Sequence, residues 1–156
     1  MFVPGDPRFE EILDLANLAT LDMLMDNQRP RWRELVNQLL GRIHEAGHFT
    51  VRRQHLRAAA ELEVSILAPD EMASLATSTI GSGGLSIKVA EEIPVGTVMD
   101  LSIKVEPRKI PLLVKAQVVR SRPGELAAAF IDLFQNDREM LEGVAVKALL
   151  ARAALE

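Results

Sequence analysis

Apolar residues recur at two different periods along this chain, and the change falls near Phe49. Before it, the spacing is helical. In "DPRFEEILDLANLATLDMLMD", Phe9, Ile12, Leu13, Ala16, Leu18 and Leu21 return every three or four residues, which places them on one face of a helix. Asp6 stands where an N-cap is needed, and Pro7 sits in the first turn, where a missing N–H costs nothing. "NQRP" interrupts the pattern, since proline disfavours a helical residue before it. A second helix is predicted in "RWRELVNQLLGRIHEAG", with Trp32, Leu35, Leu39 and Ile43 aligned and Gly47 as its C-cap.

After Phe49 the period is two. "AELEVSIL" (60–67), "LSIKVA" (85–90), "MDLSIKVE" (99–106) and "LLVKAQVVR" (112–120) alternate, and "LAAAFIDL" (126–133) is a further short apolar run. The segments "APDE", "GSGG", "IPVG", "EPRKIP" and "RPGE" separate them as turns. Short strands at this spacing predict a small antiparallel barrel or sandwich. "NDREMLEGVAVKALLARA" then returns to a helical pattern, with Asn136 or Asp137 as its cap and Met140, Leu141, Val144, Ala148 and Leu149 on one side. The expected organisation is a helical hairpin over 1–48 and a mainly β unit with a C-terminal helix over 49–156. Phe9, Ile12, Leu13, Met23, Trp32, Leu35 and Leu39 are too many for two short helices to hide between themselves. They are expected to dock on the barrel or to form a homodimer interface.

Composition narrows the chemistry. The 156 residues are 48% hydrophobic but only 4% aromatic, with Trp32 the sole tryptophan and no tyrosine, so an aliphatic core is expected. The absence of cysteine removes disulfides, thiolate metal sites and cysteine nucleophiles. A net charge of −4 argues against nucleic-acid binding. No apolar run is long enough to span a membrane, and the N-terminus lacks the basic and apolar regions of a signal peptide. The expectation is a cytoplasmic protein.

"HEAGH" (His44 to His48) fits the H-E-x-x-H pattern of zinc hydrolases. Such a site needs both histidines within one helix and a third ligand beyond it. Here a glycine intervenes before His48, extended chain is expected after it, and His55 is the only other histidine. The match reads as accidental, with His44 favouring the dipole of a helix C-terminus, and neither a metal nor an enzymatic activity is expected.

"VRRQHLR" follows at once, crowding Arg52, Arg53 and Arg57 just ahead of the first strand. Such a cluster is either a solvated basic turn or an anion site built from guanidinium forks. An R-x-x-x-R linker (Arg53, Arg57), a glycine-rich turn "TIGSGG" (Thr79 to Gly84), the strand succession and the final helix together resemble the PilZ domain of bacterial signalling proteins. That resemblance implies a six-stranded antiparallel β-barrel over roughly 50–150, with the helical hairpin outside it. It also implies a non-enzymatic receptor or adaptor for cyclic di-GMP that relays to a protein partner, in pathways such as motility, with no cofactor. Arg52, Arg53 and Arg57 would hold phosphates and guanines.

The family's second motif, [D/N]-x-S-x-x-G, departs here. Thr79 stands in place of Asp or Asn and Gly81 in place of Ser, while Gly84 matches. A hydroxyl accepts at one point where a carboxylate accepts at two. Losing a bidentate base contact costs about 1–3 kcal/mol, so weakened nucleotide binding is expected, with Ser78 or Ser82 as substitute hydroxyls. The alternatives are a nucleotide-independent protein-interaction adaptor and, remotely, the zinc hydrolase. Glycines at 81, 83 and 84 permit positive φ in a tight turn, and for Gly83 and Gly84 that need is a sufficient explanation.

Overall fold

The computed structural model describes residues 4–45 and 55–155. Two helices come first, α1 (Pro7–Thr20) and α2 (Arg29–Glu45). Seven strands follow: β1 (Arg57–Ala59), β2 (Glu63–Ala68), β3 (Met72–Gly81), β4 (Gly84–Lys88), β5 (Val98–Ile103), β6 (Leu112–Arg122) and β7 (Glu125–Ile131). Helix α3 (Gln135–Leu155) ends the chain. Every strand pair is antiparallel. Strands β3, β2, β5, β6, β7 and β4 pair in that order, and the additional β3–β4 pairing closes them into a six-stranded barrel. β1 is an extra strand laid along the end of β3. Of the barrel or sandwich expected from the alternating pattern, the structure is the barrel, and the C-terminal helix expected from the helical spacing is present.

Alternation explains most of the strands. In β6, Leu112, Val114, Ala116 and Val118 are buried while Leu113, Lys115, Gln117 and Val119 face out. Their partners Leu101 and Ile103 from β5, Val64 and Ile66 from β2, and Ile80, Leu85 and Ile87 from β3 and β4 complete an aliphatic interior. Burying each such side chain stabilises the fold by roughly 1.5–3 kcal/mol.

β1 and β3 are the strands that the pattern does not announce, and β3 is the longer. Residues 72–78, "MASLATS", fall in none of the alternating runs. They form a strand because their neighbours supply ladders on both edges, β2 and β1 on one side and β4 on the other. Thr77 adds a tie of its own. Its buried hydroxyl donates to the Ala60 carbonyl at 2.7 Å and accepts from the Leu62 amide at 2.8 Å, fixing the crossing from β1 to β2.

α1 begins as expected, with Asp6 accepting from the Arg8 amide at 2.9 Å. Its buried face is Phe9, Ile12, Leu15, Ala16, Ala19 and Thr20. Leu13 and Leu18 are only partly buried and Leu21 is exposed, so the apolar stripe is rotated from the predicted one. The reason is the partner. α1 lies mainly on α3 rather than on α2, and small residues set the distance: a β-carbon on Gly143 would come within 3.0 Å of the Ala16 carbonyl. In α2, Trp32, Leu35, Val36 and Leu39 are buried. Together with α1, Leu56, Ala58 and the second half of α3 they form a second core. Docking on the remainder of the chain thus hides most of the predicted apolar positions, whereas Met23 stays exposed.

α3 serves both cores. Met140 and Leu141 close the barrel, while Ala145, Val146 and Leu150 face the helices. It starts at Gln135, earlier than the Asn136 or Asp137 cap expected, with the Arg138 amide bonded to the Phe134 carbonyl. Two buried carboxylates of α3 receive arginines from α2. Arg29 Nε reaches both oxygens of Glu139 at 3.0 and 3.1 Å, and Arg33 forks onto Glu142 at 2.6 Å on each arm.

Candidate functional site

The site expected from the arginine linker and the glycine-rich segment is assembled by one strand pairing. β1 runs antiparallel to the end of β3, with Arg57 opposite Gly81, Ala58 opposite Ile80 and Ala59 opposite Thr79. Cross-strand partners share a face, and successive residues alternate. Ile80 points into the barrel core. Arg57, Ala59, Thr79 and Gly81 therefore lie together on the other, outer face. Gly84, opposite Ala129, is on that face as well, because its neighbours Leu85 and Ala128 are inward. Arg57 is half-buried there and already engaged by another group. Arg52 and Arg53 lie outside the described residues.

Two expectations about the glycines are corrected. Thr79, Ile80 and Gly81 belong to β3, so the turn itself is only Ser82 and Gly83. None of Gly81, Gly83 and Gly84 has positive φ; among the described glycines that property belongs to Gly5, Gly96 and Gly124. Close approach is what demands glycine here. A β-carbon on Gly81 would lie 2.1 Å from the Leu56 carbonyl oxygen, and one on Gly84 would lie 2.3 Å from that of Ala128. Both neighbours are backbone and cannot swing away, so a serine at 81 would have to push β1 off β3.

The hydroxyls expected to substitute are occupied. Ser78 Oγ donates to Glu125 Oε2 at 2.9 Å, and Ser82 Oγ pairs with His55 Nδ1 at 3.2 Å. Thr79 differs: its Oγ1 is buried with no hydrogen-bond partner among the described residues. A buried hydroxyl without a partner is costly, and this one belongs to the residue opposite Ala59, two positions along β3 from the partner of Arg57.

His55 is the residue that motif reading missed, although it stands inside the arginine motif as R-Q-H-L-R. Its ring packs over the turn so closely that a β-carbon on Gly83 would be 2.8 Å from Cδ2. Burial, reinforced by the nearby Arg138, holds its pKa below the ordinary 6.5, so the imidazole is neutral at physiological pH.

The zinc pattern finds no support. α2 is described to Glu45, His48 lies outside the described residues, and among the described residues no cluster of three His, Asp or Glu could hold a metal ion. Likewise, no described helix is long and apolar enough to cross a membrane.

A model of the family described as the PilZ domain matches residues 51–145. No match was found among curated proteins. Among solved structures, the fold is similar to the Bacillus subtilis inhibitor of motility (MotI/DgrA), with a TM-score of 0.57, 20% identity, and coverage of 65% of this chain and 53% of that one. The chain thus spans about half of that protein's length. It is also similar to the PilZ domain with c-di-GMP of YcgR from Escherichia coli, with a TM-score of 0.52, 13% identity, and coverage of 65% of this chain and 93% of that one.

Proposed function

This chain belongs to the PilZ domain family, and from that premise we propose that it is a non-enzymatic signalling module of the bacterial cytoplasm. It receives cyclic di-GMP with reduced affinity and relays the signal to a protein partner. The observation that carries the reading is the β1–β3 register, which sets Arg57 beside Thr79 and Gly81 on one outer face. A family arginine and the family's turn are thereby brought into one place. Arg57 supplies a charged fork for phosphate or guanine, and the unpaired Thr79 hydroxyl supplies one contact to a base edge. The family resemblance adds Arg52 and Arg53, outside the described residues, to the same role. Gly81 has no hydroxyl, and the Leu56 backbone leaves no room for one, which is the physical ground for reduced affinity.

The same crowding favours a second reading, an adaptor that works through its partner without the nucleotide, since Ser78 and Ser82 are already bonded within the protein. Titration calorimetry with cyclic di-GMP separates the two. The receptor reading expects saturable binding, weakened at least about tenfold in Arg57→Ala through loss of a charged contact. Heat indistinguishable from dilution at millimolar ligand selects the adaptor.

A further inference from the structure

The barrel leaves an apolar groove open. It has a volume of about 600 Å³ and lies where the end of β2, the facing parts of β5 and β6, and the β7–α3 connection meet. Three large apolar side chains on it face solvent: Phe134 is 77% exposed, Leu113 65% and Leu67 48%. Single exposed leucines are ordinary, but three large apolar groups around one concavity mark an interaction surface. The helical hairpin does not cover it, since α1 and α2 pack with Leu56, Ala58 and the second half of α3.

Charge says what kind of cover fits. Asp100 and Lys115 pair at 3.1 Å on the groove wall. Asp132 and Asp137 have no ion-pair partner among the described residues. Of the charges that act on Asp137, Asp22 adds to the negative field and Arg108 opposes it. The described groups thus make an apolar groove with an acidic rim, which suits an apolar side chain next to a cation.

That complement is present on the same chain. In the loop between β5 and β6, Ile110 is 71% exposed. Lys109 beside it is exposed too, with no ion-pair partner among the described residues. This loop borders the groove, because Arg108 Nη1 donates to Met140 Sδ at 2.9 Å, one helical turn from Asp137. Ile110 is too exposed to fill the groove of its own chain. We propose that a second copy of this chain fills it. The Lys109–Ile110 segment of each copy enters the groove of the other, with Ile110 against Leu113 and Phe134 and Lys109 facing Asp132 and Asp137. Loop and groove are neighbours, so one two-fold axis between them satisfies both contacts at once. The dimer uses the barrel rather than the N-terminal helices and needs no nucleotide.

Sedimentation equilibrium of the full chain without nucleotide, from micromolar to millimolar, tests this, and a monomer–dimer equilibrium is expected. Phe134→Ser should weaken it by about a hundredfold, because a two-fold interface loses the aromatic anchor twice. Lys109→Glu sets a carboxylate against two others and should weaken it by about tenfold. Both positions are exposed, and Trp32 fluorescence checks that folding is retained. Lys109→Arg keeps the charge and should keep the dimer. Met23→Ser, in the exposed α1–α2 loop, and Arg53→Ala, outside the described residues, should leave it unchanged. A chain that stays monomeric throughout overturns the proposal and leaves the groove to a different protein. A dimer that survives Phe134→Ser or Lys109→Glu, or that Met23→Ser or Arg53→Ala dissociates, overturns it by placing the interface elsewhere.

Discussion

Inside the barrel, the buried set is Val, Ile, Leu, Met and Ala, with no ionisable side chain among them. The helical layer is also apolar at its centre, around Trp32, Leu35 and Leu39. There, however, Glu139 and Glu142 are buried as well, each gripped by an arginine of α2. Area burial is non-directional, so it holds the barrel's strands without choosing among similar packings. Forked arginine–carboxylate bonds have one geometry, and they sit where two helices must find one position on a third. The difference teaches where placement is set by shape and where by charge. α3 spans both regimes, since Met140 and Leu141 belong to one core and Ala145, Val146 and Leu150 to the other.

The strongest way to break the comparison is to remove the centre of each region. Trp32→Ala should destabilise the protein by about 3–5 kcal/mol and Leu101→Ala by about 2–5 kcal/mol, the range for large cavities in packed cores. Trp32 is the only tryptophan and there is no tyrosine, so intrinsic fluorescence reports the helical layer alone while far-UV circular dichroism reports the whole. Because α3 is shared, Leu101→Ala should shift both signals together. A fluorescence transition that stays at the parental midpoint while the dichroism moves would show two independent units.

Charge placement is tested by removing one partner at a time. Glu142 is 3% exposed while Arg33 is 45% exposed, so the two deletions are not equivalent. Arg33→Met strands a carboxylate in the interior and should cost about 3 kcal/mol. Glu142→Gln leaves a guanidinium that can turn to water, with an expected cost of about 1 kcal/mol. Equal costs in urea melts would mean that the pair contributes packing only.

How much of this was legible in the sequence follows the same division. The barrel strands announced themselves by alternation, because one face of each is aliphatic and the other polar. β3 did not: its small residues are held by ladders on both edges, which no local pattern records. The helices were legible as helices, but α1 turned its stripe toward Leu15 and Ala19 because α3 approaches at Gly143. At the site, Arg57, Thr79, Gly81 and Gly84 were marked by motif and do share a face. The reason for their glycines was not legible, since carbonyls 2.1 and 2.3 Å from absent β-carbons belong to distant segments. His55 was passed over because its role depends on Ser82 and Arg138, which lie far along the chain.

The smallest expected effect concerns protonation, which should touch the helical side and spare the barrel. His55 faces Arg138, Glu142 and Arg33, and its folded-state pKa is lowered first by burial and then by Arg138. An unfolded chain binds the proton at the ordinary 6.5, so between that value and the lower folded one the unfolded state holds more protons. Stability therefore rises with pH through this window and is complete above it. Acidification below 6.5 removes it. Asp137 works in the opposite direction, because burial and then Asp22 raise its folded pKa above 3.8, but its window opens at more acidic pH. Melting midpoints compared between about pH 5.5 and 7.5 isolate the histidine, and His55→Gln corrects for His44 and His48. The parent should lose more stability on acidification than the variant. Equal losses would mean that His55 takes its proton as readily in the folded protein as in the unfolded chain. At mildly acidic pH the ring would then be no neutral cover over the Ser82–Gly83 turn.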